Sequence, residues 1–290
     1  MGVTEVRHGF IEANGIRFHY AEQGEGPLVL LLHGFPECWY SWRLQLPALA
    51  AAGFHAVAPD LRGYNLSDKP RIGYDVATLV ADVEALGHAF GAERAHVVGH
   101  DWGGIIAWQL ASRRPEFVRS LAVLNAPHPS AFAQYARRSP AQLLKSSYMF
   151  FFQLPWLPEW LLSRRRAAAV AAGFRRAAVR HDAFTDADLE VYRDAFLRPG
   201  AARCMLDYYR QAVRQGPGAL PKTPVVVPAL VLWGEGDPVL NPAMNDRLGE
   251  WVRNLTYRSI PDCGHWTQQE RPDVVNPELV AWLRAHGAYP

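Results

Sequence analysis

Gly99-His100-Asp101-Trp102-Gly103-Gly104 stands between the apolar run Ala95-His96-Val97-Val98 and the helix-like run Ile105-Ile106-Ala107-Trp108-Gln109-Leu110. A Gly-x-nucleophile-x-Gly pattern in that setting marks a sharp strand-to-helix turn, where small neighbours let the backbone bend and push one side chain into the open. Here that side chain is the carboxylate of Asp101, at a position where a hydrolase ordinarily carries serine. Serine attacks a carbonyl and leaves an acyl-enzyme, whereas a carboxylate displaces a leaving group at a saturated carbon and leaves an alkyl ester.

Outward from this turn the chain alternates strand and helix. Gly9 to Ala13 and Ile16 to Glu22, joined by Asn14-Gly15, read as a hairpin at an antiparallel edge. Leu28 to Leu32 is apolar at every position, as a strand buried on both faces must be. Similar runs follow at Phe54 to Ala58, Ala95 to Val98, Leu121 to Leu124 and Ala229 to Trp233. Helical patterns at Trp42 to Ala52, Val76 to Phe90, Ile105 to Arg113 and Val274 to Ala285 separate or follow them, which predicts a mostly parallel sheet flanked by helices.

From His128 to about Leu220 no buried strand can be read, and stretches such as Arg164 to Arg180 are helical in pattern, with Pro155, Pro158 and Pro199 as interruptions. The expected organisation is a core of residues 1–127 and 221–290 with a helical cap, 128–220, inserted over the carboxyl edge of the sheet. Open α/β sheets bind ligands at that edge, and a cap makes the site concave and dry. The apolar stretch Tyr148 to Trp160 then lines a pocket or packs cap onto core, and Arg164-Arg165-Arg166 reads as a solvated helix face.

The chain has 290 residues, 49% hydrophobic and 20% charged, with a formal net charge of +2. That charge gives no electrostatic case for nucleic acid or a membrane surface as partner. Cys38, Cys204 and Cys263 form no Cys-x-x-Cys pair and are odd in number, so neither a disulfide framework nor a zinc site is expected. Met1 to Gly15 lacks a continuous apolar segment, and Leu143 to Leu162 is too interrupted by polar residues and proline to span a bilayer. The expectations are a cytoplasmic protein, monomeric or homodimeric, with no membrane span, no metal and no cofactor.

Three groups end predicted strands in the order nucleophile, acid, histidine. Asp101 follows one strand, Asp237 follows Ala229 to Trp233, and His265 follows Leu255 to Ile260 through Pro261-Asp262-Cys263-Gly264. Asp237 in Gly236-Asp237-Pro238 alone reads equally well as a turn former, and an isolated histidine is more often structural. Order and spacing together favour chemistry: His265 takes a proton from water, Asp237 orients the ring, and the water attacks the esterified carboxyl of Asp101. The oxyanion so formed needs donors, which the backbone N–H groups of Phe35 and Trp102 can supply. The loop His33-Gly34-Phe35-Pro36 aims the first of these, with Pro36 a candidate for a cis bond.

These segments, with Gly234-Glu235-Gly236-Asp237 and Asp262-Cys263-Gly264-His265-Trp266, resemble the signature segments of soluble-type epoxide hydrolases of the α/β-hydrolase superfamily, over nearly the whole chain. The resemblance implies an α/β-hydrolase fold with only the hydrolase half present. It also implies two cap tyrosines, whose positions match Tyr148 and Tyr209, that hold and protonate an epoxide oxygen while Asp101 opens the ring. Two neutral donors suit that task, because an epoxide has no good leaving group until its oxygen is hydrogen-bonded. Tyr208 is then packing. Haloalkane and haloacid dehalogenases share the aspartate but not the paired tyrosines. A non-catalytic α/β-hydrolase-fold binding protein would lack at least one of these groups. Phe35, Trp102, Met149 and Phe150 are the expected pocket lining, which suits an apolar or aromatic epoxide.

Overall fold

The computed structural model describes residues 5–287; the outermost ends of the expected core segments, and Met1 to Thr4 of the N-terminal reading, lie outside them. Eight strands form one sheet: β1 (Arg7–Ala13), β2 (Ile16–Gln23), β3 (Leu28–Leu32), β4 (His55–Pro59), β5 (Ala95–His100), β6 (Val118–Leu124), β7 (Ala229–Gly234) and β8 (Leu255–Ile260). Their order across the sheet is β1-β2-β4-β3-β5-β6-β7-β8. The β1–β2 and β2–β4 pairings are antiparallel and all others parallel. Asn14 and Gly15, at φ 47° and 69°, make the hairpin turn that a right-twisted strand pair needs.

Helices cover both faces. Those before β6 are α1 (Gln45–Ala51), α2 (Val76–Ala89) and α3 (Trp102–Arg113); α10 (Thr267–Glu270) and α11 (Pro272–Ala285) close the chain. Strand β3 accounts for the two layers: Leu28, Leu30 and Leu32 point into a core with α2 and α3, while Val29 and Leu31 point into another with α1 and α11. Both faces are apolar because both are covered. Helix α1 starts later than the periodicity suggests, after a 3-10 turn at Trp39–Trp42. Pro47, with no N–H to give, fits only in the first turn.

Between β6 and β7 the chain builds α4 (Pro129–Ala136), α5 (Pro140–Lys145), α6 (Tyr148–Phe151), α7 (Leu157–Ala177), α8 (Asp186–Leu197) and α9 (Ala201–Gln215). The expected helix over Arg164 to Arg180 is only partly formed. Arg164 is extended, and Arg165, Arg166 and Ala167 take φ near +50°, so α7 is two helical pieces joined at the arginine run. The carbonyls of Arg165 and Arg166 freed by this break accept from the Arg193 guanidinium on α8, a partner that helical periodicity does not register. The solvated-helix-face reading of these arginines is corrected accordingly: they are solvent-exposed but sit at a break.

The turn from β5 into α3 is the tightest packing in the sheet. Asp101 sits at φ 48°, ψ −119°, and a Cβ on Gly103 would lie 2.1 Å from the Leu32 carbonyl oxygen. We expect Gly103→Ala to cost ~3 kcal/mol or more, because backbone of a central strand must give way; urea unfolding of the purified variant measures it, and an unchanged midpoint would contradict this packing.

Candidate active site

Parallel strands deliver their following loops to one edge, and the order β3-β5-β6-β7-β8 places residues 33–36, 101, 125, 237 and 265 along it. The turn aims the Asp101 carboxylate out of the sheet. Its Oδ1 accepts from the Phe35 backbone N–H at 2.8 Å, and its Oδ2 lies 3.7 Å from His265 Nε2, beyond direct hydrogen bonding. Trp102, whose N–H was expected as second oxyanion donor, opens α3 directly after Asp101. The Phe35–Pro36 peptide is cis. Gly34 is required by approach alone, since a Cβ there would meet the Asp101 side chain at 2.4 Å. His33, fully buried, accepts from the Leu61 N–H on Nε2 and directs Nδ1 at the Gly34 carbonyl, which fixes the loop; burial first of all keeps its pKa low.

His265 Nδ1 and Asp237 Oδ2 are 2.7 Å apart. Asp237 is nearly sealed from water, yet its carboxyl pKa is lowered: burial pushes it up, and His265, Asn125 and the Leu240 N–H outweigh that. Four donors meet it, from His265, Asn125 Nδ2 at 2.8 Å, Val239 N at 2.7 Å and Leu240 N at 3.0 Å. The pKa of His265 is raised well above the ordinary histidine value, since the carboxylates of Asp237 and Asp101 overcome the opposing effect of burial. Esterification would remove the Asp101 charge and bring that value down.

Tyr148 on α6 and Tyr209 on α9 face Asp101, their ring centroids 5.8 Å apart. Both phenol pKa values are pushed up, by burial above all and then by neighbours that include Asp101, so both remain neutral donors. Tyr208 turns away, donates to the Arg62 carbonyl at 2.9 Å and packs on Trp102. Asp101, Tyr148 and Tyr209 are common to two adjoining cavities. One, of about 360 Å³, is lined by Trp102, Ile105, Phe132, Met149 and Leu240. The other, of about 520 Å³, is lined by Phe35, Phe151, Phe152, Val170 and Trp266 with His265. Phe150 corrects the expected lining: it is 65% exposed and lies in neither cavity. On a helix as short as α6, Tyr148, Met149 and Phe151 take the inward directions and leave position 150 outside.

Four further residues hold the site and were not singled out by sequence. Glu37 and His100, both without solvent exposure, pair at 2.7 Å, and His100 Nε2 reaches the His265 carbonyl at 2.8 Å. Both ring partners of His100 are acceptors, one of them the Glu37 carboxylate. Glu37 also accepts from Gly34 N, Ser41 Oγ and Gln269 Nε2. Asn125, directly after β6, accepts from Gly234 N at 2.8 Å and from the Thr267 hydroxyl, and donates to Asp237. Glu270 accepts from Gly264 N and Trp266 N on either side of His265, and from Val179 N and Arg180 N beyond α7. Glu37 directly follows Pro36 and His100 directly precedes Asp101; adjacency to the motifs was the available signal. Among the described residues no cluster of His, Cys, Asp and Glu could hold a metal ion.

The fold and this edge define an α/β hydrolase, and the family model for the alpha/beta hydrolase fold matches residues 27–272. Human epoxide hydrolase 4 is 40% identical over 286 residues, 94% of this chain and 77% of that one. The AB hydrolase superfamily protein YfhM of Bacillus subtilis is 39% identical over 285 residues, 96% and 98% of the two chains. The crystal structure of Bacillus megaterium epoxide hydrolase in complex with an inhibitor superposes with a TM-score of 0.89 at 31% identity, over 95% of this chain and all of that one. The chain belongs to the epoxide hydrolases of the α/β-hydrolase superfamily.

Burial raises the Glu37 pKa, but His100 and its other donors win and take it from 4.5 to about 2. The pair's stabilisation is therefore complete above about pH 4.5 and lost as pH falls through about 2. Glu37→Gln, which removes the buried carboxylate that His100, Gly34 N, Ser41 and Gln269 all meet, is expected to cost ~3–5 kcal/mol at pH 7. Urea titrations of both proteins at several pH values check this: the gap should narrow towards pH 2.

Proposed function

We propose that this chain converts an epoxide to a vicinal diol through a covalent ester on Asp101. The observation that carries the reading is the placement of Tyr148 and Tyr209 across from Asp101, with the Asp237–His265 pair behind it. In the first step Asp101 Oδ2 attacks an epoxide carbon. The carbon–oxygen bond breaks, and the released oxygen takes its proton where Tyr148 and Tyr209 donate. In the second step His265 removes a proton from water, and the hydroxide oxygen bonds to the Asp101 carboxyl carbon. The tetrahedral oxyanion meets the Phe35 N–H, already in contact with Oδ1, and the Trp102 N–H. Collapse expels the diol oxygen, which takes the proton from His265, and the proton left on the Asp101 carboxyl passes to the tyrosinate that ring opening produced, restoring the carboxylate and both phenols.

The helical insertion, 128–220, serves as a cap over a core of 1–127 and 221–290, and supplies both tyrosines. Two cavities meeting at the reacting carboxylate suit an epoxide with a substituent on each carbon, and their linings suit apolar or aromatic substituents. A departing halide needs hydrogen bonds but no proton, so paired phenols favour the epoxide reading. None of the described helices is long and apolar enough to cross a membrane. With Cys38, Cys204 and Cys263 all free and buried, a cytoplasmic location is the fitting one.

A single turnover in isotopically heavy water tests the covalent route. The first diol released should carry no solvent oxygen, and the label should appear in the Asp101 carboxylate; label in that first diol would refute the ester. Tyr148→Phe with Tyr209→Phe should slow ring opening by about 10²–10⁴-fold. His265→Gln should instead accumulate enzyme heavier by one substrate mass.

A further inference from the structure

Seven of the thirteen large apolar side chains exposed among the described residues fall within residues 143–161, which hold the end of α5, all of α6 and the start of α7. The most exposed of the seven are Leu144 (76%), Trp156 (71%), Phe150 (65%) and Trp160 (52%). Scattered exposed apolar groups are ordinary, but a concentration of this kind marks a contact surface. Cations accompany it: Lys145, Arg164, Arg165 and Arg214 are exposed and have no ion-pair partner among the described residues. The Arg164 guanidinium lies over the Trp160 ring, 4.6 Å from its centroid, and Trp156, Trp160, Arg164 and Arg214 line one open groove. Glu159, the only carboxylate in residues 143–166, is neutralised by Arg210 at 2.7 Å.

We propose that this face docks on the surface of an anionic phospholipid bilayer. Tryptophans at the rim with arginine and lysine beside them fit the headgroup region, where the rings enter the acyl boundary and the cations meet lipid phosphates. Each cation held near such a surface is worth roughly fivefold in binding. The protein lies on the bilayer, since none of its described helices can cross one. A second copy is the poorer occupant: a twofold contact through this face sets its cations against the same cations. The cavity that contains His265 has Lys145, Phe151, Leu162 and Arg176 in its lining, so docking brings that cavity to the lipid. What passes through rests on the epoxide reading, whereas the docking does not.

Flotation of the full chain, without substrate, with vesicles of equal parts phosphatidylcholine and phosphatidylglycerol tests the docking against pure phosphatidylcholine. Binding should be confined to the anionic vesicles and should fall steeply at about 0.5 M salt, where surface charge is screened. Arg164→Gln with Arg165→Gln should weaken it about 25-fold. Trp156→Ala with Trp160→Ala should weaken it too and remove the blue shift of tryptophan fluorescence on binding. Circular dichroism and turnover of styrene oxide in free solution should be unchanged in both variants. No binding to anionic vesicles, or equal binding by the arginine variant, overturns the proposal. So does a dimer, seen by sedimentation equilibrium, that the tryptophan variant dissolves, because the face then belongs to a second copy. Absence of epoxide turnover by the unsubstituted chain would count against the catalytic reading and leave the vesicle result standing.

Discussion

Asp101 can face the cavity only because the backbone at that residue takes a conformation most side chains avoid. At φ 48° and ψ −119° it costs on the order of 1–3 kcal/mol. The packing around it keeps that arrangement in place. Strand β3, buried on both faces, runs directly beside β5, and Gly103 and Gly34 let its end and its loop come within contact of the turn. The same closeness brings the Phe35 N–H to the carboxylate, so one constraint places both groups.

A web of buried polar groups then fixes the remaining loops relative to that turn. Glu37 ties the loop after β3 to His100, and His100 ties the end of β5 to the carbonyl of His265. Asn125 joins the ends of β6 and β7 and holds Asp237. Every one of these carboxylates is satisfied by several donors, which is the condition for charge to be tolerated in the interior. The result is a histidine whose two carboxylate neighbours differ in kind: Asp237 is sealed away and held by several donors, and Asp101 faces both cavities.

The sheet was legible because the central strands carry short runs rich in apolar residues and the turn after β5 has a sequence of its own. That Asp101, Asp237 and His265 would meet at one edge of the sheet was legible from chain order. The break in α7 was not, since Arg164 to Ala167 carry no proline or glycine, and what sustains it is Arg193, far along the chain. Phe150 was misplaced because an all-aromatic run has no periodicity to say which ring faces in. Glu37 and Glu270 were missed for a related reason: a buried carboxylate looks like a surface one until its donors, contributed by distant loops, are known.

The Glu270 clamp has a dynamic consequence. Its carboxylate takes N–H groups from both sides of His265 and from the chain just past α7, while the His265 N–H bonds the Ala177 carbonyl and the Trp266 indole bonds the Phe174 carbonyl. Around residues 174–180 the insertion is thus anchored to the catalytic loop. Helix α6, by contrast, buries none of its residues and α5 buries only Gln142. Segments with so few buried contacts open locally at the least free energy. Breathing of the insertion is therefore lopsided: the α5–α6 side, which carries Tyr148, yields first to admit a bulky molecule, and the α7 side stays still and keeps the His265–Asp237 pair in place.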